Sequence, residues 1–233
     1  MTLHEAMRLR HSVRQYTDRA IEHDKAAALQ ELINEINAET GFTFQLVQDE
    51  PRAFAAGMAK YGRFRGVNNY IVLVAPKGTD ISVGYHGERL VLLAQTLGLN
   101  TCWVALTFRK QPDRYAVPEG QHVACVISIG YGENQGHAHT KQRPIEDCCR
   151  VDGEMPRWFR MGMEAAMLAP TAINQQKFVF TLLPKHTGKP VVDASTRFSL
   201  LGYTRLDLGI AMCHFEIGAG KDTFAWNKDI QQM

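Results

Sequence analysis

The chain has 233 residues, 45% of them hydrophobic and 21% charged, enough for a packed core in one large domain or two small ones. A formal charge of +2 and a pI near 8.3 give no ground for a polybasic nucleic-acid binder or a protein held to an anionic membrane. No apolar run approaches the ~18–20 residues of a membrane span. Met1-Thr2-Leu3-His4-Glu5 lacks the basic-then-apolar layout of a secretion signal. The five cysteines, Cys102, Cys125, Cys148, Cys149 and Cys213, are odd in number and show no disulfide spacing. They suit a reducing compartment, so the expected location is cytoplasmic.

In chain order, Thr2 and Glu5 form a capping box that opens a short helix to about Arg10. A second helix runs from Asp24, with Leu29, Leu32, Ile33 and Ile36 at helical spacing, and ends at Gly41. Residues 42–47 read as a strand, and residues 51–67 give no clear pattern while carrying Arg52, Lys60, Arg63 and Arg65. Tyr70-Ile71-Val72-Leu73-Val74 is a buried strand stopped by Pro76. A helix over 87–97 is capped by Gly98. Strand-like runs follow at 101–106 and 123–129. Residues 131–147, rich in Gly, His and charge, read as an exposed connector. A boundary near 147–153 gives a first half over 1–150 and a shorter second half over 151–233. The second half holds a helix over 156–168, a polar loop at 169–176, a strand over 178–182, a turn from Pro184 to Pro190 and a helix over 204–217. Strands interleave with helices, and some connections are too short for a right-handed crossover. The expected fold is α+β with a mixed sheet and flanking helices.

The two halves look related. Residues 24–98 and 156–218 each open with an amphipathic helix and continue into a strand with alternating Phe, Phe42 and Phe44 against Phe178 and Phe180. Each later shows Gly-Tyr before a long helix, Gly84-Tyr85 against Gly202-Tyr203. The second block has no clear counterpart of the strand at 70–74. A duplication of this kind predicts two structurally related halves about a pseudo-twofold axis, as in a homodimer.

Several motifs bear on chemistry. Arg10-His11-Ser12-Val13-Arg14 places two guanidiniums and a hydroxyl where an anion could bind, although alone it reads more readily as a solvated basic helix end. Lys141-Gln142-Arg143 alone is an ordinary charge cluster. His137 and His139 with Cys148 and Cys149 have poor zinc spacing, so no metal is expected. Gly130, Gly132 and Gly136 do not fit the dinucleotide fingerprint. No nucleophile elbow occurs, His214 reads as a satisfied core histidine, and Met161, Met163 and Met167 read as core filling.

In combination these segments resemble the nitroreductase family. The resemblance rests on Arg10-His11-Ser12-Val13-Arg14 and on Gly84 to Val104 with its Leu97-Gly98-Leu99-Asn100-Thr101-Cys102-Trp103 exit. It rests further on Gly130-Tyr131-Gly132 followed by Lys141-Gln142-Arg143-Pro144, and on the loop Pro170-Thr171-Ala172-Ile173-Asn174-Gln175-Gln176. In that family two subunits of an α+β homodimer bind FMN at their interface, and the polar loop lies near the N-terminus. Here the loop comes late. The chain therefore also resembles a single-chain pseudo-dimer branch, in which the second half supplies what a partner supplies elsewhere; Asp207 to Glu216 shares that resemblance.

The resemblance implies that Arg10, Ser12, Lys141 and Arg143, with His11 in the motif, hold the phosphate and ribityl end. Arg14 would lie at the pyrimidine edge, and Trp103, Val104 and Ala105 near N5. Pro170, Thr171, Asn174 and Gln176 would cover the ring, so that the loop faces the basic motif. The second half has no Arg-x-Ser-x-Arg and no Lys-x-Arg, so at most one FMN per chain is implied, with NADH or NADPH as electron donor and a nitroaromatic, quinone or similar small-molecule acceptor. No nucleic-acid or membrane partner is expected; a monomer suits a chain that imitates a dimer, and a homodimer is also compatible. The flavin carries the chemistry, so no catalytic side chain is expected. Lys177 replaces the family's usual Pro, and this departure motivates the alternative of a non-catalytic flavin- or nucleotide-binding or interaction module.

Overall fold

The computed structural model describes residues 1–55, 61–138, 141–184 and 188–228. It is a mixed α+β structure with, among the described residues, five α-helices and two four-stranded sheets. No described helix is long and apolar enough to cross a membrane. The chain divides into two compact units. The first takes Met1, Leu9–Gly78 and Leu90–Ala138, and the second Thr2–Arg8, Thr79–Arg89 and His139–Met233. Two earlier segments, Thr2–Arg8 and Thr79–Arg89, thus belong with the later part of the chain.

In the first unit, α2 (His23–Thr40) buries Leu29, Ile33 and Ile36 and ends at Gly41, whose φ of 72° suits a left-handed cap. The strand expected over 42–47 shortens to β1 (Gln45–Val47). Ahead of it the Asn37 amide takes both backbone groups of Phe44, at 2.8 and 2.9 Å. β2 (Tyr70–Pro76), β3 (Asn100–Val104) and β4 (Gln121–Gly130) complete an all-antiparallel sheet in the order β1-β2-β4-β3. β2 is apolar along its length because it is buried over residues 70–75.

The second unit contains α1 (Leu3–Leu9), which opens as the capping box predicts: Thr2 N–H donates to Glu5 at 2.8 Å and Glu5 N–H to Thr2 Oγ1 at 3.2 Å. The helix expected at 87–97 is α3 (Asp80–Thr96), seven residues longer at its start. Gly84-Tyr85, read as preceding this helix, lies inside it. The glycine is a packing residue: a Cβ at Gly84 would lie 2.1 Å from the Leu206 carbonyl oxygen. α4 (Arg157–Ala166) and α5 (Thr204–Ala219) fall where expected, with a strongly apolar α5 interior. Phe215 stacks on Phe180 with ring centroids 4.7 Å apart, and meets Phe159 and Phe224 edge-on. Met163 and Met167 are core residues, but Met161 is 43% exposed.

The second sheet joins β5 (Cys149–Arg150), β6 (Phe178–Leu182), β7 (Val191–Thr196) and β8 (Ala225–Trp226) in that order. β7 and β8 were not expected. β7 alternates Val192 and Ala194 inward with Asp193 between them, too short a pattern to stand out, and β8 has two residues. β7 fills the place thought empty in the second half. Residues 23–96 and 157–219 each run from a helix to a strand, then to an antiparallel partner, then to a second helix. The turn expected at 184–190 has residues 185–187 outside the described set.

Candidate functional site

Each unit brings part of the expected site together. In the first, residues 12–13 run alongside β3: Val13 N–H donates to Thr101 O at 3.0 Å, and Ser12 bridges Thr101. Arg10 is 5% exposed, so it is more enclosed than a solvated helix end allows. Burial pushes the buried Cys102 thiol up, with Arg14, a Ser12 hydrogen bond and Arg10 pulling the other way. The basic motif thus gathers around Cys102, which the motif reading did not include. His11 lies against Gly136, where a Cβ would come within 2.8 Å of the histidine Cβ.

Arg14 is exposed and lines a cleft of about 450 Å³ with Trp103, Val104 and Ala105, so four of the expected residues share one site. The remaining walls come from Tyr61, Gly62, Arg63 and Phe64, part of the segment with no readable pattern, and from Thr107. Two other cations of that segment are spent elsewhere. Arg52 pairs with Glu50 at 2.6 Å and Asp113 at 2.7 Å, and Arg65 pairs with Glu133. Lys60 lies outside the described residues, as does His139.

In the second unit, Lys141 and Arg143 meet the polar loop. A cleft of about 600 Å³ is lined by Lys141, Arg143 and Lys177 and by Asn174, Gln175 and Gln176. The loop amides hold the basic segment directly. Asn174 Nδ2 donates to Lys141 O at 2.6 Å, and Arg143 N–H donates to Gln176 Oε1 at 2.9 Å. Gln176 is 2% exposed, and its N–H donates to Thr171 Oγ1 at 3.1 Å. Pro170 is buried beneath the turn.

The loop backbone is strained. Ile173, Asn174 and Gln176 have φ of 47°, 57° and 45°, the left-handed region that costs a non-glycine residue roughly 1–2 kcal/mol. Such strain persists where surrounding contacts over-determine it, commonly at ligand clamps. Here the contacts centre on Asp207, at the start of α5. Its carboxylate accepts from Ala172 N–H at 3.0 and 3.1 Å and from Gln175 Nε2 at 2.7 Å. Gln175 Oε1 in turn accepts from Ser199 Oγ at 2.6 Å. Sequence reasoning gave Asp207 no role; an acid in the first turn of an apolar helix was the available signal.

Burial raises the Asp207 carboxyl from 3.8 to about 6, against the opposing pull of Gln175 and Ala172. The folded state therefore holds the proton at pH values where the unfolded chain has lost it. Stability falls as pH rises from about 4 to about 6, by on the order of 3 kcal/mol from this one group. Urea unfolding followed across that window should show the decline in the native chain and a flatter profile in Asp207→Asn. An equal slope in both proteins would remove Asp207 as its source.

Comparison with known proteins gives the class. The family described as "Putative TM nitroreductase" matches residues 2–219, and the chain belongs to that family. Among solved structures, a "putative nitroreductase" of Thermotoga maritima MSB8 is similar over 95% of this chain and 85% of its own, with 24% identity and a TM-score of 0.65. An FMN-dependent nitroreductase of Clostridium difficile R20291 covers 58% of this chain and 90% of its own, at 21% identity and a TM-score of 0.45. A nitroreductase with bound FMN from Bacteroides fragilis NCTC 9343 covers 62% and 95%, at 19% identity and a TM-score of 0.45. No curated protein matches the sequence closely enough to count as a relative.

Proposed function

We propose that the protein is an FMN-dependent oxidoreductase that takes electrons from NADH or NADPH and passes them to a nitroaromatic, quinone or similar acceptor. With a quinone, the net reaction moves a hydride equivalent from the nicotinamide and one solvent proton to give the hydroquinone and NAD(P)+. The observation that carries this reading is the first-unit cleft, where Arg14 joins the Trp103–Ala105 strand end. Family membership supports it.

The donor sets fit FMN. No carboxylate is among the described residues lining either cleft, whereas cations, amides and aromatic surface are. Arg10, Ser12, Lys141 and Arg143 would hold the phosphate and ribityl end, with His11 beside them. Pro170, Thr171, Asn174 and Gln176 would shape the cover of the ring. Bound FMN supplies a reversible two-electron acceptor at N5. Arg14 contributes a fixed positive charge that stabilises electron-rich states of whatever lies against it. Trp103, Val104 and Ala105 offer a β-strand end and exclude water from that wall. The similar order of elements in residues 23–96 and 157–219 supports the duplication, and at most one flavin per chain follows from the absence of a second copy of the 10–14 and 141–143 basic motifs.

Absorption spectra of purified protein after FMN addition test the reading. About one flavin should remain per chain, and Arg143→Ala should weaken its binding by about tenfold, the loss of one charge-assisted contact. Failure to retain flavin at all would end the proposal. The alternative, a binding module without turnover, is favoured by the engagement of Asn174 and Gln176 with the 141–143 backbone. Retained FMN with no NAD(P)H oxidation across nitro and quinone acceptors would select it.

A further inference from the structure

We propose that the first-unit cleft selects planar electron acceptors that carry a negative charge, and that Arg63 recognises that charge. The proposal rests on the oxidoreductase reading for its use, and on the cleft's own residues for its chemistry. Two guanidiniums, Arg14 and Arg63, line the space together with the rings of Tyr61, Phe64 and Trp103. Among the described residues, neither arginine is paired with a carboxylate. Arg14 belongs to the motif assigned to the flavin. Arg63 comes from a segment that no flavin motif includes, so its charge is additional to the flavin's need.

The segment is built to hold its position. Arg65 N–H donates to Arg14 O at 3.0 Å, and Tyr16 N–H donates to Arg65 O at 2.9 Å. At Gly66, with φ of 68°, a Cβ would lie 2.2 Å from the Tyr16 carbonyl oxygen, so only glycine permits this approach. A Cβ at Gly62 would lie 2.6 Å from the Phe64 ring. Phe64 packs on the core residue Phe54 at a centroid distance of 5.1 Å, which fixes one aromatic wall. Arg63 itself has φ of 57°, a conformation that non-glycine residues seldom adopt. Its neighbour Arg65 is neutralised by Glu133, so among the described residues of the segment Arg63 is the charge that lines the cleft.

The chemistry defines the ligand class. Aromatic rings and the flat face of a guanidinium favour a planar arene. The guanidinium edge favours a carboxylate or sulfonate that can accept two hydrogen bonds. Arene carboxylates and sulfonates, such as nitrobenzoates and quinone sulfonates, carry both features.

Calorimetric titration at low ionic strength tests this with 4-nitrobenzoate and its neutral methyl ester. The purified protein is used with its flavin content measured beforehand. The acid should bind about five- to tenfold more tightly than the ester, the effect of one partly exposed charge-assisted contact. Added salt should shrink that ratio. Arg63→Gln should bring the ratio close to one without changing ester binding, and Arg63→Lys should keep part of it. Arg65→Gln should leave it intact. Equal binding of acid and ester by the native protein, or an unchanged ratio in Arg63→Gln, overturns the proposal. A raised KM for NAD(P)H in Arg63→Gln, with 4-nitrobenzoate binding intact, overturns it too and assigns the arginine to the dinucleotide phosphates. Failure of the flavin reading shows separately in the absorbance ratio, because the titration reads binding with or without FMN.

Discussion

Gly209→Ala is expected to destabilise the second unit by about 3 kcal/mol or more, the upper range for overpacking a well-fitted contact. A Cβ at Gly209 would lie 1.9 Å from the Ile81 carbonyl oxygen and 2.7 Å from the Tyr85 nitrogen. The reciprocal clash, from Gly84 onto Leu206, involves backbone as well. No side-chain rotation can relieve backbone overlap, so α3 and α5 must separate. Alanine would favour an isolated helix by about 1 kcal/mol over glycine, and that gain has the wrong size to compensate. Differential scanning calorimetry should show a fall in Tm of roughly 6–12 °C for a chain of this length. An unchanged or raised Tm would mean that the two helices do not pack this closely.

The same helix pair encloses the second large effect. Glu88 on α3 and His214 on α5 are both fully buried, with His214 Nε2 2.8 Å from Glu88 Oε1. The other ring nitrogen, Nδ1, lies 3.1 Å from the Ala165 carbonyl oxygen, so it donates a proton there. A proton must then be shared between Nε2 and the Glu88 carboxyl. Glu88→Ala removes one partner of a buried pair and leaves the imidazole nitrogen unsatisfied, at an expected cost of about 3–5 kcal/mol. Glu88→Gln should cost under about 1.5 kcal/mol, because its amide N–H can donate to Nε2 while Nδ1–H keeps Ala165. Chemical denaturation of the two variants separates the cases, and equal losses would show that shape rather than hydrogen bonding sets the cost. Close by, Tyr85 donates to Glu216 at 2.6 Å and Trp226 to the other Glu216 oxygen at 2.9 Å. Burial and the Glu216 carboxylate push the Tyr85 hydroxyl well up, so it acts as a fixed donor.

Much of the fold was legible because its signals are local. The capping box at Thr2 and Glu5, the Leu29–Ile33–Ile36 stripe and the Gly41 cap each act within one or two turns of helix. The apolar run at 70–74 announced a buried strand for the same reason. Shorter strands were invisible, since two residues at Ala225–Trp226 have no period to read. Gly84 was misread as a boundary because a glycine in a helix costs stability unless another backbone needs the space. That other backbone is 122 residues away in sequence, at Leu206.

For the candidate site, the sequence by itself determined which residue types could meet an anionic, planar ligand. These are the paired arginines at 10 and 14, the basic segment at 141–143 and the amide loop at 171–176. Their chemistry is intrinsic to the side chains and needs no fold to state. Tertiary structure alone decided what each does. It spends the Asn174 and Gln176 amides on the 141–143 backbone, neutralises Arg65 with Glu133, and leaves Arg63 at the Arg14 cleft. It also makes Asp207 the anchor of a strained loop. Those outcomes depend on distances between segments far apart in the chain. Spacing along a sequence fixes only what lies within a few residues; which charge meets which partner is set when the core closes.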